Sequence, residues 1–236
     1  MIVQIKNRTM KKVILIIVLL ISGVNWVYSQ NECPPTVVDI DGNDYSTVMI
    51  GTQCWMAQNM RASHDRNGND IPLGNKLSYT APYLYLNVSG ITACGYLYNW
   101  TAATRVCPKG WHLPTNAEWT QLTDYVSAQP QYCCGGRENY IAKALADSTG
   151  WNYSWQDSCL VGKYPSTNNS TGFSALPAGV YDGSYAVYGV WAYFWSATPS
   201  KGNYANYFYM TNSWAVVGHH DFHKSYGFSV RCIKNK

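Results

Sequence analysis

The chain has 236 residues, 13% charged and 15% aromatic, with 20 Tyr, 10 Trp and 8 Cys. Seventeen Lys and Arg against 13 Asp and Glu give a net charge of +4, but four of the basic residues fall in the first twelve positions. Beyond them the signs balance at 13 each, which leaves no basic face for nucleic acid or an anionic membrane.

Lys6, Arg8, Lys11 and Lys12 precede an apolar run from Val13 to Val24, and Val27 and Ser29 stand before Gln30 as a cleavage exit. The run is shorter than the ~20 residues that a membrane span needs. Residues 1–29 therefore read as a signal peptide and 30–236 as a single exported domain, with a membrane met only through the cleaved leader. Thr36–Ile50 alternates about an Asp41-Gly42 turn and predicts a β-hairpin. Asp39, Asp41 and Asp44 flank that turn, where Asp is a turn former rather than an acid–base pair. Met56, Asn59 and Met60 are expected beneath the hairpin, Asn67–Gly74 reads as loop, and Leu97–Ala103 as a short helix or strand.

Thr115 and Glu118 make a capping box, and behind it Asn116–Ser127 predicts a helix whose buried face carries Trp119, Leu122 and Val126. A second helix is predicted over Glu138–Asp147, and Trp151–Thr171 reads as irregular. Strands follow at Tyr193–Thr198, within Ala205–Val217 and at Tyr226–Ile233, the last with Tyr226, Phe228, Val230 and Cys232 on a single buried face. Trp111, Trp119 and Trp195 are expected in the core. The pattern predicts an α+β fold of two helices, short antiparallel strands and long loops, without internal repeat.

The cysteines at 33, 54, 94, 107, 133, 134, 159 and 232 are even in number and contain no C-x-x-C pair. In an exported chain this predicts disulfides, with 105 pairings open for four bridges.

Six blocks then carry a resemblance: VVDIDGNDYSTVMIGTQCWMAQNM, GYLYNW, CPKGWHLPTNAEW, TGFSALPAG, YFWSAT and YGFSVRC. Over Val37–Lys234 the chain resembles the domain family named for the major paralogous proteins of Fibrobacter succinogenes, which looks like a branch of the C-type-lectin-like superfamily. The resemblance implies a C-type-lectin-like fold stapled by disulfides, with terminal strands meeting, and export in Bacteroidota-like bacteria. It implies little about activity. It pairs Cys107 with Cys232; Cys134–Cys159 and Cys54–Cys94 are expected as further pairs, leaving Cys33 and Cys133. The lectin calcium tripeptides Glu-Pro-Asn, Gln-Pro-Asp and Trp-Asn-Asp do not occur, and Trp151-Asn152 runs into Tyr153, so that calcium site is not carried over and no cofactor is expected.

Three constellations remain. His219, Asp221 and His223 would share one face of an extended segment and form a weak metal candidate. No G-x-S-x-G elbow supports nucleophilic catalysis, and a formylglycine-generating-like enzyme would need reactive cysteines that these bridges consume. Tyr181, Tyr185, Tyr188 and Trp191 lie among glycines in YDGSYAVYGVW and are the candidate binding rings. The expected function is a non-catalytic binding or adhesion module for glycan or a surface protein, with a structural filament subunit as an alternative.

Overall fold

Among the described residues the paired strands run antiparallel, in three sheets. The first sheet begins with β1 (Thr36–Val38), β2 (Asp44–Ile50) and β3 (Gln53–Met56), and is completed by β6 (Trp111–His112) and the C-terminal β10 (Ile233–Lys234) in the order β1-β2-β3-β10-β6. A second pairs β4 (Leu84–Tyr85) with β5 (Leu97–Tyr98). The third orders β7 (Trp191–Pro199), β8 (Tyr204–Thr211) and β9 (Gly218–His223). Among the described residues three α-helices accompany them: α1 (Trp100–Val106), α2 (Asn116–Ser127) and α3 (Ala142–Leu145). The computed structural model describes residues 32–86, 94–184 and 188–236, and Cys33–Asn235 form one compact unit. The expected signal peptide lies outside the described residues.

The β1–β2 hairpin forms where its turn chemistry predicts. Asp39 accepts the backbone N–H of Asp41 and of Asn43, both at 2.9 Å, and Gly42 takes φ 81°. The same turn recurs at Asp65–Asp70. There Asp65 accepts from the N–H of Asn67 and Asn69 at 2.8 and 3.0 Å, with Gly68 at φ 86°. Positive φ favours glycine at both positions. The sequence reading missed this local repeat. Beneath the hairpin, Met56, Asn59 and Met60 are buried.

Leu97–Ala103 holds both of the structures left open for it, a strand and then a helix. Asn99 ends β5 and caps α1 by accepting from Ala102 N–H at 3.0 Å, while its amide donates to the carbonyls of Ser78 and Ala81. Helix α2 carries the predicted capping box and buries Trp119, Leu122 and Val126. Trp119 is the hub of a ring cluster: Trp55 and Phe208 lie at 5.0 Å, Phe194 at 5.7 Å and Phe173 at 5.8 Å. Offset and edge-to-face pairs of this kind add to area burial.

Two predicted elements are shorter than their patterns. The Glu138–Asp147 helix is reduced to Ala142–Leu145. The carbonyls of Lys143, Ala144 and Leu145 accept from Asn169, Thr171 and Ala175 N–H, so tertiary partners replace the next helical turn. Tyr226–Ile233 is no continuous strand, and neither side of it faces solvent. Ser229 and Arg231 are as buried as Phe228 and Val230. Arg231 is accommodated because its guanidinium donates to the carbonyls of Met56, Phe173 and Ser174 and to Asn59 Oδ1, and lies 4.5 Å from the Phe173 ring centroid. Burial pushes its pKa down to about 9, against the opposing pull of Asp147.

Cys107–Cys232 ties the entry to β6 to the final strand, and Cys134–Cys159 forms as expected. Cys54 bonds Cys33 rather than Cys94. The segment before β1 lies along β2, where Thr47 N–H donates to Pro35 at 3.0 Å, and this delivers Cys33 to neighbouring β3. Cys94 is instead buried with Tyr85, Leu97, Ala178 and Tyr181.

Candidate functional site

The third sheet has two unlike faces, because successive side chains of a strand alternate. Ala192 and Phe194 of β7 and Phe208 and Met210 of β8 turn inward to the Trp119 cluster. The other face carries Trp191, Tyr193 and Trp195 opposite Thr211, Tyr209 and Tyr207, and next to these Gly218, His220 and Phe222. Trp191 and Tyr193 stack at 5.5 Å with their planes 11° apart. Tyr209 stands 6.0 Å from Trp191 and 6.1 Å from Tyr193, and Trp214 extends the row at 5.8 Å from Tyr209.

One end of this face is closed and the other open. Phe228 stacks on Tyr193 at 5.0 Å and lies 4.3 Å from Trp195, sealing the end where Trp195 and Tyr207 are buried. At the other end Trp191 and Tyr209 are half-buried and Trp214 is 44% exposed. Gly218 shapes the open end: a Cβ there would come within 2.2 Å of Tyr209 Cζ, so only glycine lets that ring lie across β9. Burial pushes the Tyr207 hydroxyl up to about 12 and that of Tyr193 higher still.

The predicted binding rings are not gathered together. Trp191 belongs to the open face. Tyr181 is buried, stacked on Tyr85 at 3.9 Å, and its backbone pairs with Gly227. Tyr188 is half-buried over Gly150, and burial, with the Cys94 thiol beside it, raises its pKa. Tyr185 lies outside the described residues. Tyr193, Tyr209 and Trp214 were missed as site residues. The signal for the first two was the alternation in YFW and YFYM; Trp214 sits in a turn and had none.

The histidine row is occupied by separate partners. His219 Nε2 bonds Asn206 at 3.1 Å, Asp221 accepts from Ser200 Oγ at 2.6 Å, and His223 Nδ1 bonds Ser225 at 2.8 Å. Among the described residues, no three His, Cys, Asp or Glu side chains gather around a metal-sized space.

Asp41, Ser63 and His64 do adjoin, an arrangement not foreseen. His64 Nδ1 bonds Asp41 and its Nε2 bonds Asp70 at 2.9 Å. Ser63 Oγ lies 3.3 Å from the same Nδ1 and donates to Asp41 at 3.1 Å, so Ser63 and Asp41 share that nitrogen. The hydrogen bond to Asp41 raises the His64 pKa. The group therefore joins the two Asp-Gly-Asn turns.

Neither a curated protein nor a solved structure matches this chain. The Fibrobacter succinogenes major domain matches residues 48–234, starting after the Val37 expected from the six blocks, and the chain belongs to that family.

Proposed function

We propose that this protein is an exported, non-catalytic binding module that takes glycan on the open aromatic face of its third sheet. Three features support the reading. Three disulfides suit an oxidising compartment. The two helices of any length and the short antiparallel strands fit a C-type-lectin-like fold, which belongs to this proposal. The balanced charge beyond the leader suits a neutral ligand. Export itself rests on the basic, apolar and small-residue sequence of the leader; among the described residues no helix is long and apolar enough to cross a membrane.

The observation that carries the reading is the row formed by Trp191, Tyr193, Tyr209 and Trp214. Half-exposed rings held by a sheet give the C–H faces of a sugar a contact surface with little side-chain entropy left to lose. Affinity electrophoresis and calorimetry on the secreted protein with plant and host polysaccharides test it. Trp191→Ala and Tyr209→Ala are each expected to weaken binding about tenfold, the loss of about 1 to 1.5 kcal/mol of ring contact, with the fold intact by circular dichroism. Retention by no polysaccharide, or unaltered retention of both variants, would reject the assignment. Saturable turnover of any bound sugar would replace the module with an enzyme.

A further inference from the structure

A cleft of about 430 Å³ opens on the side of the third sheet away from the aromatic row. That volume lies within the range of small-molecule sites, about 300–1,000 Å³. One wall is α2, where Thr120, Asp124 and Ser127 follow at spacings of four and three and share a face apart from the buried Trp119, Leu122 and Val126. The facing wall holds Val217 and His219, and the buried Ile141 and Phe208 line its floor. His219 reaches this side because it alternates with Gly218 and His220, whose side belongs to the aromatic row.

His219 supplies a defined acceptor. Asn206 Nδ2 donates to the carbonyls of Thr198 at 3.1 Å and Pro199 at 3.4 Å, which turns its Oδ1 toward His219 Nε2 at 3.1 Å. A carbonyl oxygen at that nitrogen requires the ring hydrogen on Nε2. Burial, and then the neighbouring His220, lower the His219 pKa, so the neutral ring keeps Nδ1 as a lone-pair acceptor. The ring is held against Phe208, with centroids 4.6 Å apart. Across the cleft Asp124 is exposed and takes part in none of the ion pairs found among the described residues. Among the described residues that line the cleft there is no Lys or Arg.

The geometry points to this cleft as a binding site, separate from the sheet face, for a protonated alkylamine or alkylguanidine. Its N–H groups are shared between the Asp124 carboxylate and His219 Nδ1, and its aliphatic stem lies on Phe208, Ile141 and Val217. Charge and hydrogen-bond capacity select this occupant. Ammonium and guanidinium groups only donate, and the two charged or titratable groups of the cleft only accept. An anion would meet Asp124 with no cation beside it. A metal ion would find two ligands of the usual type, and among the described residues no third His, Cys, Asp or Glu gathers with them.

Heteronuclear NMR of the full secreted protein, titrated at pH 8 and constant ionic strength with n-butylammonium and n-butylguanidinium chloride, tests the site. At least one of these cations is expected to move the Asp124 amide and His219 ring signals saturably. It should do so at about one tenth or less of the concentration that tetramethylammonium or n-butanol needs. Asp124→Asn and His219→Phe should each weaken that cation about tenfold. Both side chains are exposed, so the melting temperature should stay at the wild-type value. Tetramethylammonium carries the charge without N–H donors, and n-butanol the stem without the charge; equal binding of either overturns the proposal. So does wild-type affinity in both variants, or the lack of any saturable change at Asp124 and His219. The blocked tripeptides acetyl-Gly-Arg-Gly-amide and acetyl-Gly-Lys-Gly-amide identify where the cation comes from. Affinity equal to that of the free cation supports a basic side chain of a partner protein, and affinity about tenfold lower supports a free small cation.

Discussion

Replacing Glu118 by Gln tests how the first turn of α2 is held to the first sheet. One carboxylate oxygen accepts from the Thr115 N–H at 2.8 Å and from its hydroxyl at 2.9 Å; the other accepts from His112 Nε2 at 2.8 Å. His112 Nδ1 in turn bonds Asn235 at 2.7 Å, so the group links β6, the helix cap and the C-terminal segment. Burial of Glu118 acts to raise its pKa, but the hydrogen bonds from His112 and Thr115 outweigh it and bring it from 4.5 to about 2. At about 1.4 kcal/mol per tenfold change in proton affinity, that is about 3 kcal/mol. Discounting for the 22% of the side chain that remains exposed leaves about 2 kcal/mol. The signs give the pH window. The lowered Glu118 pKa contributes stability that is present above 4.5 and lost as pH falls through about 2. The His112 pKa is raised by its bond to Glu118, so its share is complete below 6.5 and lost as pH rises through the folded value. Both act together between 4.5 and 6.5. Urea unfolding of wild type and Glu118→Gln at pH 2, 5.5 and 9 should therefore show the largest difference, about 2 kcal/mol, at pH 5.5 and the smallest at pH 2. A difference of equal size at all three pH values would refute the electrostatic argument and leave only a shape effect.

Three further outcomes are expected. The Cys107→Ser/Cys232→Ser double variant frees a loop closed across 125 residues and should lose about 4–5 kcal/mol of stability in the chain-entropy picture; an unfolding midpoint in denaturant close to wild type would show that the strand pairing of β10 suffices alone. Arg231→Met strands three buried carbonyls and the Asn59 side chain and should cost at least about 3 kcal/mol, so a loss under 1 kcal/mol by urea titration would disprove the role given to the guanidinium. Gly218→Ala displaces the Tyr209 ring from β9 and should lower polysaccharide affinity about as much as Tyr209→Ala does, with a stability cost of about 1–3 kcal/mol; wild-type affinity in this variant would remove Tyr209 from the site.

What the sequence revealed was local or carried by the family resemblance. The Thr115–Glu118 box and the Trp119, Leu122, Val126 face lie within a few turns of one helix, and the Asp41-Gly42 turn is complete in its own side chains. What it hid depends on distant partners. Nothing within Glu138–Asp147 shows that Asn169, Thr171 and Ala175 will take the carbonyls of α3. The alternation of Tyr226–Ile233 assigns Arg231 outward, because a period of two cannot register a cage of carbonyls from Met56, Phe173 and Ser174. The candidate rings divide for the same reason. Tyr181 and Trp191 share a glycine-rich stretch, yet the first is drawn against Tyr85 and the second is set by strand register opposite Thr211.

On the reading proposed above, the two faces of the third sheet let a chain with so many rings keep some for contact. Phe194 and Phe208 on the inner face close on Trp119, so the positions of β7 and β8 are fixed before any outward ring is considered. Trp191, Tyr193 and Tyr209 then inherit their places from the same backbone, and Phe228 anchors the row at its closed end. Rings placed in this way have little freedom left to lose when a ligand lands on them, and that saving, more than the area of any single contact, is what makes a rigid aromatic face an effective binding surface.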